Sequence, residues 1–347
     1  MERCVWAFFA VHGGDQDQVG GWALSAGARQ RGGVLALGLL RLARVPHWVK
    51  GAFVLIGPVY ALGDGNLASV SVLWSALWAA LAFGLASSAC YAVNDIRDAE
   101  QDRAHPRKRT RPVASGVVPV PAAWALAGVL LGLSAVALLG VQGAGRVWVG
   151  VCVGLYVVNT LAYSLVFKHR VIADVICLAM GFVLRVVAGC LAVGVAPTTY
   201  LLNVVFFLAM FLAFGKRLGE RRSLGEAGAA RARGVQASYS EQTLGLAVVA
   251  TGVVTLVTYA GYVLSREGQF VWHASSMGSA GHGFNLLWLT MLPATYGLLR
   301  CVLLVETGRY DDPTELALRD RPFQLAALAF AAYAGVLMYA RHAGVLG

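Results

Sequence analysis

An all-α, polytopic membrane helix bundle of about nine transmembrane helices is the fold class that three observations predict. Of the 347 residues, 58% are hydrophobic and only 13% charged, outside the usage of ordinary soluble domains. The apolar residues stand in long unbroken runs rather than alternating ten-residue stretches, so helices and not the strands of an outer-membrane barrel satisfy the backbone in lipid. Basic residues gather in every second connection, as they do on one side of a bilayer.

Residues 1–32 differ in character from the rest of the chain. Their one apolar run, Cys4 to Val11, is too short to span, and a Gly, Gln and Asp mixture succeeds it, so a poorly ordered N-terminal extension is expected. Residues 33–347 then form a single transmembrane catalytic domain. Between 33 and 45 apolar positions alternate with Arg41 and Arg44, the pattern of an interfacial amphipathic helix that leads into Pro46. A spanning helix needs about 20 apolar residues, and runs of that kind fall near 47–63, 67–93, 119–141, 147–167, 172–194, 199–215, 243–264, 284–305 and 323–341. The longest connections on the basic side are 94–118 and 216–242. Spacings such as Gly128-x-x-x-Gly132 and Gly150-x-x-x-Gly154 suit close helix packing in lipid.

Charge orients the bundle. Apart from Arg185 inside a span and Arg146, Arg266 and Arg341 on the opposite side, every Lys and Arg lies on the side of the N-terminus. That side is therefore cytoplasmic and the C-terminus is outside. The net charge of +10 is then a matter of topology, and nucleic acid is not an expected partner. The six cysteines form no C-x-x-C pair and read as small buried hydrophobes, and the seven histidines, including His273 and His282 in one outer loop, lack ligand spacing. No structural metal is expected.

The second apolar run ends in Asn94-Asp95-Ile96-Arg97-Asp98-Ala99-Glu100-Gln101-Asp102. If the helix continues, Asn94, Asp98 and Asp102 succeed one another at i, i+4 and i+8 with Asp95 beside them. Glu100 has Arg97 and Arg103 within helical reach, but Asp95, Asp98 and Asp102 have no Lys or Arg three or four residues away. Unpaired acids stacked at a membrane edge invite a divalent cation. Hard oxygen ligands suit Mg²⁺, which takes one or two carboxylates and completes its shell with water and substrate phosphate. A basic turn comes directly after, with Arg107, Lys108, Arg109 and Arg111 between two prolines, so a metal-bound diphosphate has acids for its cation and bases for its oxygens.

A second polar cluster begins with Tyr163 and Lys168 at the end of the fourth run. It continues with Asp174 and Arg185 in the fifth and with Lys216 and Arg217 after the sixth. Intramembrane charge is costly and points to function. Asp174 and Arg185 are too far apart on one helix to pair, so each needs a cavity or a partner from another helix.

Together these residues resemble the UbiA superfamily of intramembrane prenyltransferases, whose Asn-Asp-x-x-Asp-x-x-x-Asp signature stands here at Asn94, Asp95, Asp98 and Asp102. The resemblance covers roughly 41–341. It sharpens with Tyr163-Ser164-x-x-x-Lys168-His169, Phe182-x-x-Arg185-x-x-x-Gly189, Phe214-Gly215-Lys216-Arg217, Asp312-Pro313-Thr314-Glu315 and Asp320-Arg321-Pro322, which are similar to the decaprenyl-phosphate phosphoribosyltransferase branch. Other members carry a second Asp-x-x-x-Asp stripe, and here only Asp174 stands in that region, with Cys177 and Leu178 after it.

The resemblance implies Mg²⁺-dependent transfer of 5-phosphoribose from 5-phosphoribosyl 1-diphosphate to a membrane polyprenyl phosphate at the cytoplasmic face of a bacterial inner membrane. Asn94, Asp98 and Asp102 would hold the metal, with Asp95 as a further catalytic acid. Lys108, Arg109 and Arg111 would clamp donor phosphates. Lys168, Arg185, Lys216 and Arg217 would be shared between the 5-phosphate and the acceptor phosphate, with Tyr163 positioning either substrate. A homo-oligomer is compatible with this reading. Two rival classes remain: prenyl transfer from a prenyl diphosphate to an aromatic or lipid acceptor, disfavoured by the missing stripe, and a transporter of a phosphorylated lipid, disfavoured because the acids cluster at one edge rather than the midplane.

Overall fold

The computed structural model describes residues 33–63, 70–104, 108–232, 239–272, 283–306 and 319–344. The extension 1–32, His273, His282 and the motif at 312–315 lie outside the described residues.

The chain is a predominantly helical integral membrane protein. Helix α1 covers 33–43, and a 3-10 segment, Val45–Leu55, leads into α2, Ile56–Gly63. Next come α3 (Val70–Arg97), α4 (Ala99–Ala104), α5 (Val120–Leu138), α6 (Gly145–Leu165) and α7 (Ala173–Ala192). The second half comprises α8 (Thr199–Ala232), α9 (Glu241–Ser265), α10 (Met291–Glu306) and α11 (Arg321–His342). The one strand pairing among the described residues joins Val271–Trp272 (β1) to Phe284–Asn285 (β2), antiparallel, between α9 and α10. Among the described residues, eight helices are long and apolar enough to cross a membrane. The expected first span, 47–63, is divided instead into the 3-10 run and α2, and is not one of the eight.

Two packed groups share α7. A first core of Phe83, Val141, Val149 and Tyr156 joins α3, α5, α6 and α7, and a second of Phe211, Phe214, Leu244, Val248 and Leu304 joins α8, α9 and α10. Helix α7 packs against α2, α3, α6 and α8, and with α3 it is the most buried span. The inward face of α3 is a run of small residues, Ala76, Ala79, Ala82, Ala86, Ala89 and Ala92, all essentially buried. Small side chains let helices approach closely where lipid offers no hydrophobic drive.

The closest backbone approach falls elsewhere than the glycine spacings suggest. A Cβ on Gly128, Gly132 or Gly154 would meet nothing within 4 Å. At Gly189 of α7, a Cβ would collide with the carbonyl of Val54, and at Gly57 with the backbone of Gly189 and Cys190. These two glycines seat the divided first span against α7.

A Gly189→Ala substitution therefore forces the backbones of two elements apart. It is expected to destabilise by ~3 kcal/mol, the upper range for overpacking, whereas Gly132→Ala leaves stability unchanged or slightly higher. Thermal unfolding of both variants in detergent measures the contrast.

Candidate active site

The buried face of α3 does not stop where the span ends. Helical hydrogen bonds carry the chain past Arg97, Asp98 N donating to Asn94 O and Asp102 N to Asp98 O. Buried positions accordingly continue from Ala92 through Asp95 and Ala99 to Asp102. Seven residues are nearly two full turns, so Asp95 and Asp102 share one inward face. Asn94 and Asp98 stand at its half-buried margin, joined by Asn94 Nδ2 donating to Asp98 Oδ2 at 3.1 Å. The i, i+4, i+8 stripe is thus split: Asp102 joins Asp95 on the buried face, while Asn94 and Asp98 stay at the half-buried margin.

The acids are not left unpaired, contrary to expectation: their counter-charges come from distant parts of the chain. Arg44, at the junction of α1 and the 3-10 segment, donates to Asp95 Oδ1 at 2.6 Å. Arg111 bridges the two buried acids, reaching Asp102 Oδ2 at 2.7 Å and Asp95 Oδ1 at 3.3 Å. Lys168 donates to Asp98 Oδ1 at 2.7 Å. Arg111 can do this because the chain after α4 folds back: a 3-10 turn at Lys108–Thr110, Arg103 Nε bonded to Ala114 O, and Val113 and Val118 buried against Ala92, Ala99 and Leu42.

In the sequence Arg44 reads only as a cytoplasmic charge. Its backbone is left-handed, with φ 50°, unusual for a residue with a Cβ. The surroundings hold it there. Ser88 Oγ donates to Ala43 O at 2.5 Å and accepts from Trp48 Nε1 at 2.8 Å, and the Arg44 guanidinium lies 4.9 Å over the Tyr91 ring.

Among the described residues no group of three His, Cys, Asp or Glu side chains is placed to hold a metal ion alone. A hard divalent cation sharing its shell with substrate phosphate needs less, one or two carboxylates. The donor set fits that need: Asn94, Asp98 and Asp102 offer hard oxygens, and Asp95 Oδ2 is buried without a hydrogen-bond partner among the described residues. Lys108 is half-buried and Arg109 exposed in the turn that precedes Arg111, and Tyr163 is half-buried near the end of α6.

Asp174 and Arg217 belong to a different arrangement. Each is 1% exposed. Arg217 of α8 grips Asp174 Oδ2 through Nε and Nη2, and the Tyr239 hydroxyl donates to Asp174 Oδ1 at 3.3 Å. The same hydroxyl accepts from Ile172 N at 2.5 Å, at a residue forced to φ 68° at the start of α7. Arg221 donates to Tyr239 O at 2.6 Å. Burial pushes the Tyr239 phenol above its ordinary range, so it stays a donor at neutral pH. Both oxygens of Asp174 are thus taken, and the cluster ties α7, α8 and the turn before α9 together. Lys216 is half-buried beside it on α8.

Arg185 stands apart again. It is 5% exposed and makes no ion pair among the described residues. Its guanidinium donates to Gly181 O at 2.7 Å and Tyr156 hydroxyl at 3.0 Å, and lies 4.4 to 5.8 Å from the rings of Tyr156, Phe182 and Phe83. Its neighbour Ser87 precedes Asp98 by eleven positions along α3, about 16 Å deeper. The structure does not bring Arg185 to the rim with Lys168 and Arg111.

Known proteins resemble the chain over most of its length. Residues 51–328 match the model of the UbiA prenyltransferase family. The chain is 33% identical over 308 residues to a decaprenyl-phosphate phosphoribosyltransferase of Mycolicibacterium smegmatis, covering 88% of this chain and 93% of the relative. It is 34% identical over 299 residues to one of Corynebacterium glutamicum, covering 85% of each. The fold is similar to that of a UbiA homolog from Archaeoglobus fulgidus bound to GPP and Mg²⁺, with a TM-score of 0.61 and 17% identity over 87% of this chain and 99% of that one.

Breaking a buried ion pair from one side leaves the other charge stranded, at about 3–5 kcal/mol. Arg217→Met and Asp174→Asn are each expected to lower thermal stability in detergent by that order, and the double variant recovers part of the loss. Additive losses in this cycle would mean the two side chains do not depend on each other.

Proposed function

The chain belongs to the UbiA prenyltransferase family, and from that premise we propose that it transfers 5-phosphoribose from 5-phosphoribosyl 1-diphosphate to a polyprenyl phosphate of the decaprenyl type. The supporting observation is the pairing of one acidic rim with one basic turn, in a chain whose relatives over nearly their whole length bear the name decaprenyl-phosphate phosphoribosyltransferase. Asp174, the acid in the region where a second stripe would stand, is enclosed by Arg217 and Tyr239. One metal-diphosphate site suits one diphosphate substrate.

In this reading Asn94, Asp98 and Asp102 hold Mg²⁺, which when bound supplies positive charge for the departing diphosphate. Asp95, braced by Arg44 and Arg111, holds Arg111 beside Asp102 on the inward face of the site. Lys108, Arg109, Arg111 and Lys168 bind phosphate oxygens and orient the sugar, while Tyr163 and Lys216 border the acceptor. The C1–O bond to diphosphate breaks, a phosphate oxygen of the lipid bonds to C1, and diphosphate leaves. A phosphate monoester is already an oxyanion at neutral pH, so no side chain needs to remove a proton from it. Arg217 and Arg185 then serve as clamps between helices rather than as phosphate ligands. The basic side of the bundle faces the cytoplasm of a bacterial inner membrane, where a soluble donor is available.

Purified protein in detergent, given decaprenyl phosphate, Mg²⁺ and labelled phosphoribosyl diphosphate, is expected to carry label into the lipid phase. Asp98→Ala and Asp102→Ala lower that transfer by roughly 100-fold or more, the range for losing a group that stabilises developing charge. Undiminished transfer in both variants would sink the assignment of the rim. A prenyl diphosphate offered in place of the donor, with label appearing in an aromatic acceptor, would instead favour prenyl transfer.

A further inference from the structure

We infer that the divalent cation and the diphosphate enter this site together, because the chain's own cations already hold its three carboxylates and release them only to phosphate oxygens. This rests on the metal reading proposed above. Asp95, Asp98 and Asp102 carry three negative charges, and Arg44, Arg111 and Lys168 set three positive charges against them at 2.6 to 3.3 Å. A lone divalent cation meets no net negative charge there. It must displace a guanidinium or an ammonium and leave that cation stranded beside it, a repulsion that grows as the surroundings dry out.

A diphosphate removes the conflict. It brings several negative charges, so each displaced cation gains a charge-assisted phosphate contact in place of the carboxylate it gives up. The three cations are not equally free to make that exchange. Arg44 is held at its backbone by the Ala43–Ser88–Trp48 hydrogen bonds and at its guanidinium by stacking over Tyr91, and among the described acids it pairs with Asp95 only. Exposure does not separate them, since Arg44, Lys168 and Arg111 are 21%, 22% and 27% exposed; what differs is that Arg111 and Lys168 sit on or directly after short 3-10 turns at the rim and, among the described residues, have no ring stacked against them. Arg44 is therefore a positioning residue whose charge stays beside Asp95, and Arg111 and Lys168 are the exchangeable pair. Their release uncovers Asp102 Oδ2 and Asp98 Oδ1, and Asp95 Oδ2 has no hydrogen-bond partner among the described residues.

The test uses Mn²⁺ as probe and the full chain in detergent, with bound metal read by electron paramagnetic resonance and protein-free samples correcting for Mn²⁺–diphosphate complexes. Inorganic diphosphate is expected to tighten Mn²⁺ binding by roughly tenfold or more, and Mn²⁺ to tighten labelled diphosphate by the same factor, as linkage demands. Lys168→Met, a change at a part-exposed pair that leaves folding intact, and Arg111→Met each bind Mn²⁺ alone more tightly than the wild type. Equal Mn²⁺ affinity with and without diphosphate, or wild-type affinity in the folded Lys168→Met protein, overturns the exchange while leaving the metal site standing. No bound Mn²⁺ even with diphosphate overturns the metal site itself, and the exchange with it.

Discussion

Everything at the rim depends on one constraint: the inward face of α3 continues beyond the membrane edge and changes from alanine to aspartate. The same helical period that buries Ala89 and Ala92 buries Asp95 and Asp102. Carboxylates taken out of water without compensation cost several kcal/mol each. The surrounding elements are arranged to supply that compensation. Helix α1 delivers Arg44 from one side, the folded-back turn after α4 delivers Arg111 from another, and the end of α6 delivers Lys168. Connections that look unrelated along the chain form a single charge-balanced assembly around the end of one helix.

The same principle explains why Asp174 behaves differently from the rim acids although it also opens a helix at a membrane edge. Its partners are internal and complete: a two-point contact from Arg217 and a phenol from Tyr239. Nothing in that cluster is half-exposed, so nothing in it can exchange readily with a soluble ligand. The rim pairs at Asp98 and Asp102 each include a cation with a fifth to a quarter of its surface in contact with solvent. Similar chemistry therefore yields a fixed joint at one place and an open site at the other, with burial deciding between them.

Much of this is legible in the sequence, and the limits have physical causes. Hydropathy locates the spans because a bilayer imposes a length on them, though the division of 47–63 depends on its seating against Gly189, a tertiary contact. The acid cluster stands out because its own helix offers no counter-charge. Its true partners lie 51, 16, 9 and 70 residues away, and local spacing carries no trace of such pairs. Arg44 is hidden among many basic residues that topology alone explains. Arg217 reads as a phosphate ligand because a basic residue at a helix end looks the same in sequence whether it meets substrate or a buried aspartate. The separation of Asp95 and Asp102 from Asn94 and Asp98 is legible in principle, since steps of four drift from the helical period and a step of seven hardly does.

Arg185 shows how the bundle holds its shape beneath an exchangeable rim. A guanidinium near the middle of an apolar helix could have been matched with a carboxylate, yet the groups around it are neutral acceptors and aromatic faces. A lysine could not replace it there, because only the planar fork can reach Gly181 O and the Tyr156 hydroxyl at once while lying against rings. The residue is thus suited to the position by shape as much as by charge, and it fastens α3, α6 and α7 to one another. Those helices carry or directly precede the rim acids, Lys168 and Asp174. When Arg111 and Lys168 change partners at the rim, the helices that position the carboxylates are held about 16 Å below by contacts that no ligand at the rim competes for. An exchangeable ion-pair network can stay accurate only over such a fixed joint.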